Sequence, residues 1–422
     1  MKKIRINNFK EHIYYEKLNN GLEVYLLPTK SKKAFLGALT VKYGGRDIYF
    51  KADDKEFKTP TGIAHFLEHK MFERDENPFE FYSKYGNDVN AFTNLEATTY
   101  HFSGSKCFNK SLKYLLNWIQ SLNINEDLVK KEKGIILEEA SMYKDNNARV
   151  MYNKLRENTY INHPEKYLVV GTDEDIKRIT KEDLETCYKS FYVPNNMYLI
   201  ISGNININKA IEIIKEETKH FKKNEDLPTK IYPEEPDNVA KEYEEIEKKA
   251  ELPQIGVAFK MNKNRFKDLK LSKFELLLYL NCIINISLGN SSEIREKWIN
   301  EGLFLNSFYE LNGIDSHFVI NFIATSAKPD ELYQSLMNYI KGIKTDEDSF
   351  KREIKSWIST EVLKMDNPLN KAFEISDELL TFNKITPNKI EIYKNMNYKT
   401  LLKVKKCLDF DNKAVIKLMP KN

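Results

Sequence analysis

Cysteine is sparse in this sequence, and a strong bias of charge is absent. The four cysteines, Cys107, Cys187, Cys282 and Cys407, lie far apart with no CxxC pair. Neither a zinc knuckle nor a disulfide framework can be read from them, and buried free thiols in a reducing compartment are expected. No apolar run approaches the roughly 20 residues of a membrane span. The basic start, MKKIRINNFKEHIYYEKLNNG, carries Asn7, Asn8, Glu11 and His12 where a signal peptide needs its apolar region. A soluble cytoplasmic protein is expected. Lys plus Arg number 66 against 62 Asp plus Glu, interspersed for a net charge of +4, which does not suggest a phosphate-tracking surface. No P-loop, GxGxxG or GxSxG occurs, so nucleotide and serine-hydrolase chemistries lack support.

What is present is a long chain able to fold. At 422 residues, 41% hydrophobic and 12% aromatic, it can bury sizeable cores and accommodates two large domains or three smaller ones. Strand-like alternation at Glu23 to Leu27 and Phe35 to Tyr43, separated by the polar PTKSKK, predicts an opening antiparallel pair. Helical spacing recurs over 111–122, 126–143 and 148–160, followed by a buried strand at 197–202 and a helix at 208–220. The segment 224–245, rich in charge and holding three prolines, reads as a solvated linker between an N-terminal domain (1–223) and a C-terminal one (246–422). Beyond it come a strand at 254–259, a helix at 269–286, a strand at 317–324 and a helix at 330–343. The second half thus repeats the element order of the first.

One short segment concentrates the chemistry: His65-Phe66-Leu67-Glu68-His69, within TPTGIAHFLEHKMF. Two histidines four apart lie about 40° from each other around a helix, so both imidazoles can meet one metal. Glu68 lies about 60° to the other side of His65, within reach of a water at that metal. This HxxEH order is the reverse of the common HExxH, and coincidence would produce it in roughly one such sequence in a hundred. The alternative is a helix whose two histidines bind nothing. A catalytic zinc needs a third protein ligand. Glu132, Glu138 and Glu139 on one predicted helix are the candidates, with Glu132 and Glu139 two turns apart on one face.

These blocks carry a resemblance. HFLEHKMF at His65, NAFT at Asn90 followed by a strand ending in YHFS, the Glu132 to Glu139 segment, and the long stretch from His163 to Ile205 together resemble peptidase family M16, the pitrilysin and mitochondrial processing peptidase group. Within it they resemble the short bacterial members of the YmfH type. The resemblance implies His65, His69 and Glu139 as ligands of one zinc per chain, Glu68 as general base, and Glu132 behind a ligand. It also implies that Asn90, Ala91 and Phe92 form an edge strand receiving an extended peptide by main-chain pairing. The fold implied is α+β: two similar M16-type domains, each an antiparallel-rich sheet packed with helices. The activity implied is that of a zinc metalloendopeptidase acting on small or unfolded peptides inside a clamshell chamber.

The second half departs from that pattern. Active relatives contribute an Arg and, seven residues later, a Tyr that support the oxyanion. Aligning GNSSEIREKWINEGLFLNSF on Gly302-Leu303 puts Trp298 and Leu305 in those places, with Arg295 and Tyr309 out of register. A second M16-like subunit supplying the missing pair is therefore expected. Other readings are a noncatalytic scaffold subunit or a peptide-binding subunit that uses the edge strand without cleavage. His101 and His317 are expected in the core, and His163 is expected to cap a turn.

Overall fold

A computed structural model describes residues 1–6, 11–29, 33–364 and 367–421. The turn expected at 28–33 lies partly outside them. Contacts divide the chain into two compact units. Unit 1 comprises Met1–Ala140, Leu168–Tyr232 and Glu361–Ile390, and unit 2 comprises Ser141–Tyr167, Pro233–Thr360 and Glu391–Asn422.

In unit 1, β1 (Lys2–Arg5), β2 (His12–Lys17), β3 (Glu23–Pro28) and β4 (Phe35–Val41) precede a small hairpin, β5 (Tyr49–Ala52) and β6 (Lys55–Lys58). Further on come β7 (Asp88–Thr93), β8 (Thr98–Gly104) and β9 (Met197–Gly203). Seven of these strands form one sheet in the order β1-β2-β3-β9-β4-β8-β7. The expected pairing of 23–27 with 35–43 is not made, because β9 lies between β3 and β4, parallel to the first and antiparallel to the second. Burial explains the order: MYLIISG is buried at every position and so takes a partner on both sides. β4 is likewise buried throughout, a central strand and not half of an exposed hairpin.

One face of this sheet carries the helices α1 (Ile63–Phe72), α2 (Pro78–Ser83) and α3 (Phe108–Ile119), and α4 (Glu126–Asp145) follows them in the chain. The other face is closed from the far end of the sequence. Helix Pro368–Phe382 lays Ala372, Ile375 and Leu379 onto Tyr25, Leu27, Leu36, Ala38, Tyr198 and Ile200. It is held by alternating buried charges: Lys371 bridges Glu361 and Glu374, and Lys389 bridges Glu374 and Glu378.

Unit 2 contains β11 (Tyr243–Lys248), β12 (Gln254–Asn262), β13 (Asn306–Gly313), β14 (His317–Thr325) and β15 (Lys413–Pro420), ordered β11-β15-β12-β14-β13. This repeats β3-β9-β4-β8-β7 in chain order, position and direction, including the single parallel pair β11-β15. The repetition expected from the sequence is thus present in the topology. Here too one face is closed from the other half of the chain, by α5 (Asn147–Thr159), whose Met151 and Leu155 pack on Ala258, Ile416 and Leu418.

The charged segment 224–245 is less solvated than its composition suggests. Its β10 (Thr229–Lys230) pairs with β5 in unit 1. In unit 2, buried Glu235 pairs with Lys260 at 2.5 Å and accepts from the backbone N–H groups of Ile161, Asn162 and His163. All four thiols are free. Cys187 and Cys282 are buried as expected, but Cys407 is half-buried and Cys107 is exposed at the start of α3. No single helix among the described residues is long and apolar enough to cross a membrane.

Candidate metal centre

The helix α1 starts where two blocks of sequence interlock. Gly62, at its N-cap, has φ +86°, and a Cβ there would lie 2.4 Å from the carbonyl oxygen of Val170. Gly171 opposite has the same φ and would meet the oxygen of Thr61 at 2.5 Å. Only glycine at both places lets the chains cross so closely. Thr61 donates to Asp175, and the Thr172 N–H donates to Thr61, so the TPTG and GTDED segments form one clasp beneath the helix.

Along α1 the residues Ile63, Ala64, Phe66, Leu67 and Met71 enter the core, while His65 and His69 face α4. Their rings stand 4.6 Å apart. Nε2 of His65 lies 3.7 Å from one oxygen of Glu139, and Nε2 of His69 lies 3.4 Å from the other. These three side chains bring ligand atoms within 4.8 Å of one another, a group able to hold a metal ion. Glu138, one residue away, is exposed and takes no part. Behind the pair, the Glu132 carboxylate accepts from Nδ1 of His69 at 3.0 Å, which makes Nε2 the nitrogen that faces Glu139 and would ligate a metal once it gives up its proton.

The two imidazoles are electrostatically unlike. Burial, then the neighbouring His69, pushes His65 down to about 4; its Nδ1 is buried without a hydrogen-bond partner, so the ring is neutral and able to ligate. Burial opposes charge on His69 as well, but the hydrogen bonds that the ring donates to Glu132 and Glu139 outweigh it and carry that ring up to about 9. In Glu132 the same bond overcomes desolvation and holds the carboxyl below its ordinary value. Two imidazoles and one carboxylate, with a further carboxylate behind one ring, form a donor set that fits zinc and leaves a position for water.

Glu68 sits beside this group and is not one of the three. It is buried, and desolvation raises its carboxyl, with a hydrogen bond from Thr93 working in the opposite direction. That bond, from Oγ1 of Thr93 to Oε2 of Glu68 at 2.6 Å, ties α1 to β7. β7 is the terminal strand of its sheet, so Asn90, Ala91 and Phe92 lie on an edge, with Asn90 and Phe92 exposed. Phe92 meets Phe373 and His101 in an aromatic cluster, which places His101 in a half-buried setting and not the full core expected. A cavity of about 400 Å³ opens at the site, lined by Glu68, His69, Phe72, Phe79, Asn90 and Lys131 among others. Sequence reasoning passed over Thr93, although it ends the NAFT block, and the stacked pair Phe72 and Phe79. His317 is buried and bonded to Asp237, and His163 caps a turn by accepting from the Glu165 N–H, both as expected.

The residues of unit 2 considered for the oxyanion have local partners. Trp298 is a core residue donating to Ser335, and Leu305 is exposed. Arg295 donates to Ser307 and stacks on Phe304, while Tyr309 donates to Asn285.

Comparison with known proteins accords with this architecture. Residues 53–173 match the family model described as insulinase (peptidase family M16), and residues 178–356 match the one described as the peptidase M16 inactive domain. The chain is 36% identical over 330 residues to the uncharacterized zinc protease YmfH of Bacillus subtilis, covering 77% of this chain and 74% of that protein. It is 30% identical over 224 residues to the zinc protease PqqE of Helicobacter pylori, covering 51% and 48% respectively. The crystal structure of an M16-like peptidase from Alicyclobacillus acidocaldarius matches with a TM-score of 0.89 at 26% identity, over 98% of this chain and 99% of that one. With an HxxEH helix facing a glutamate two turns beyond another, and a sheet repeated in each half, this chain belongs to peptidase family M16.

Proposed function

We propose that the chain is a zinc-dependent endopeptidase and the metal-bearing subunit of a two-subunit enzyme. The observation that carries the reading is the convergence of His65, His69 and Glu139 within 4.8 Å, beside a buried Glu68 tied to an edge strand. Zinc held by these three residues would supply Lewis acidity for amide hydrolysis. Glu68 takes a proton from the attacking water and returns it to the leaving amine. Burial makes its carboxylate a stronger base, and the Thr93 hydroxyl occupies Oε2, which leaves Oε1 to face the water. An extended peptide pairs its backbone with the free edge of β7 at Asn90 to Phe92, a mode that accepts any sequence in the unfolded state.

The partner is a second M16-like subunit that supplies the Arg and Tyr for which this chain has Trp298 and Leu305. The test measures zinc per chain by metal analysis, then hydrolysis of an unfolded peptide library by the zinc-loaded chain with and without the candidate subunit. One equivalent of zinc and cleavage by the pair is the expected result. A pair that holds zinc and cleaves nothing would overturn the enzymatic reading.

A further inference from the structure

A fully buried lysine lies directly behind the candidate metal centre. Lys70 follows His69 in α1, next to the core residues Phe66, Leu67 and Met71, and its side chain is 0% exposed. Lysine is almost never buried in this way unless it is paired. Its ammonium donates to a carboxylate oxygen of Glu73 and to the Leu128 carbonyl in the first turn of α4 at 3.3 Å, and lies 3.8 Å from Oε2 of Glu132 as an ion pair. Glu132 is thereby divided between two cationic or donor groups. Its Oε1 accepts from Nδ1 of His69, and its Oε2 faces Lys70.

We infer that Lys70 is a positioning residue for the metal centre, acting through Glu132. A carboxylate held by one oxygen can turn about its own axis and offer either oxygen to the imidazole. With the second oxygen drawn toward a buried ammonium, one orientation of the carboxylate is favoured over the flipped one, and the ring of His69 is oriented with it, Nε2 directed at Glu139. Groups of this kind behind a ligand typically change metal affinity by about 10- to 100-fold when lost. The bonds to Glu73 and Leu128 seat the ammonium; the contact with Glu132 is the one that reaches the site.

This inference rests on the zinc reading, and the test separates the two. Zinc affinity is measured by chelator competition on the full chain carrying Lys70→Gln, Lys70→Met, Glu132→Gln, the double variant Lys70→Gln with Glu132→Gln, and His65→Ala. Lys70→Gln keeps donors for Glu73 and Leu128 but lacks the charge, so it should fold even where Lys70→Met does not. The expected result is a loss of about 10- to 100-fold for Lys70→Gln and for Glu132→Gln, with the double variant no weaker than Glu132→Gln alone. The Nδ1 proton of His69, followed by nuclear magnetic resonance in the metal-free chain, should exchange faster in Lys70→Gln. A zinc affinity for Lys70→Gln within twofold of wild type, or losses that multiply in the double variant, would overturn the inference while leaving the zinc site intact. If His65→Ala binds zinc as well as wild type does, the zinc reading itself falls and takes this inference with it.

Discussion

At the scale of single residues, α1 gives adjacent side chains different work. His65 and His69 turn toward α4, whereas Glu68 turns toward β7, where Thr93 holds it. The variants should separate these duties. His65→Ala is expected to lose the metal and keep the fold, since the apolar residues by which α1 packs, Ile63, Phe66, Leu67 and Met71, are untouched; metal analysis with circular dichroism checks it. Glu68→Gln is expected to retain zinc while turnover by the assembled enzyme falls by about 10²- to 10⁴-fold, the usual loss of a general base. Loss of zinc in that variant would make Glu68 a ligand. The pair His65 and His69 was legible in the sequence because helical spacing alone puts both on one side. Glu139 was separable from Glu138 only through the resemblance to the family, whose ligand glutamate lies two turns beyond another, as Glu139 does from Glu132. Lys70 was not legible: a lysine after a histidine reads as a solvated charge until the burial of α1 is known.

At the scale of elements, two junctions carry the site and its sheet. Gly62→Ala should cost about 1–3 kcal/mol from its backbone conformation alone, and more because the new Cβ would press on the carbonyl of Val170. Urea unfolding measures the loss, and an unchanged midpoint would contradict the clasp. The helix Pro368–Phe382 should show a pH signature. Burial opposes charge on Glu374, but Lys389 and Lys371 hold its carboxyl down to about 2. A depressed folded value contributes stability above the ordinary carboxyl range and loses it as pH falls. The stability gap between wild type and Glu374→Gln should therefore be full at neutral pH, shrink below about 4.5 and vanish near 2. Periodicity located α3, α4, α5 and β9 to within a few residues, because each buries one stripe or a whole strand. It could not place β9 between β3 and β4, nor name which sheet Met151 or Ile375 would meet. An apolar face declares that it will be covered, not by what.

At the scale of the whole molecule, the chain should be metallated yet nearly inactive alone. Loss of one oxyanion donor typically costs about 10²- to 10³-fold, and a homodimer repeats the same Trp298 and Leu305. Full activity of the isolated chain, abolished by Arg295→Ala or Tyr309→Phe, would show that those residues serve in another register. The closing of each sheet by a helix from the opposite half makes a second expectation. A fragment of residues 1–223 lacks Ala372, Ile375 and Leu379 and leaves Tyr25, Leu27, Ala38 and Ile200 uncovered. It should bind a hydrophobic dye and aggregate, and fusing residues 361–390 to it should restore solubility. The same arrangement sets a timetable for synthesis. Helix Pro368–Phe382 begins well over a hundred residues after β9 ends, and a ribosome adding about 5–20 residues per second needs on the order of ten seconds or more to cover that stretch. Until then the apolar face formed by Tyr25, Leu27, Ala38 and Ile200 waits for its cover, so the first sheet is expected to be completed only after most of the chain has been made.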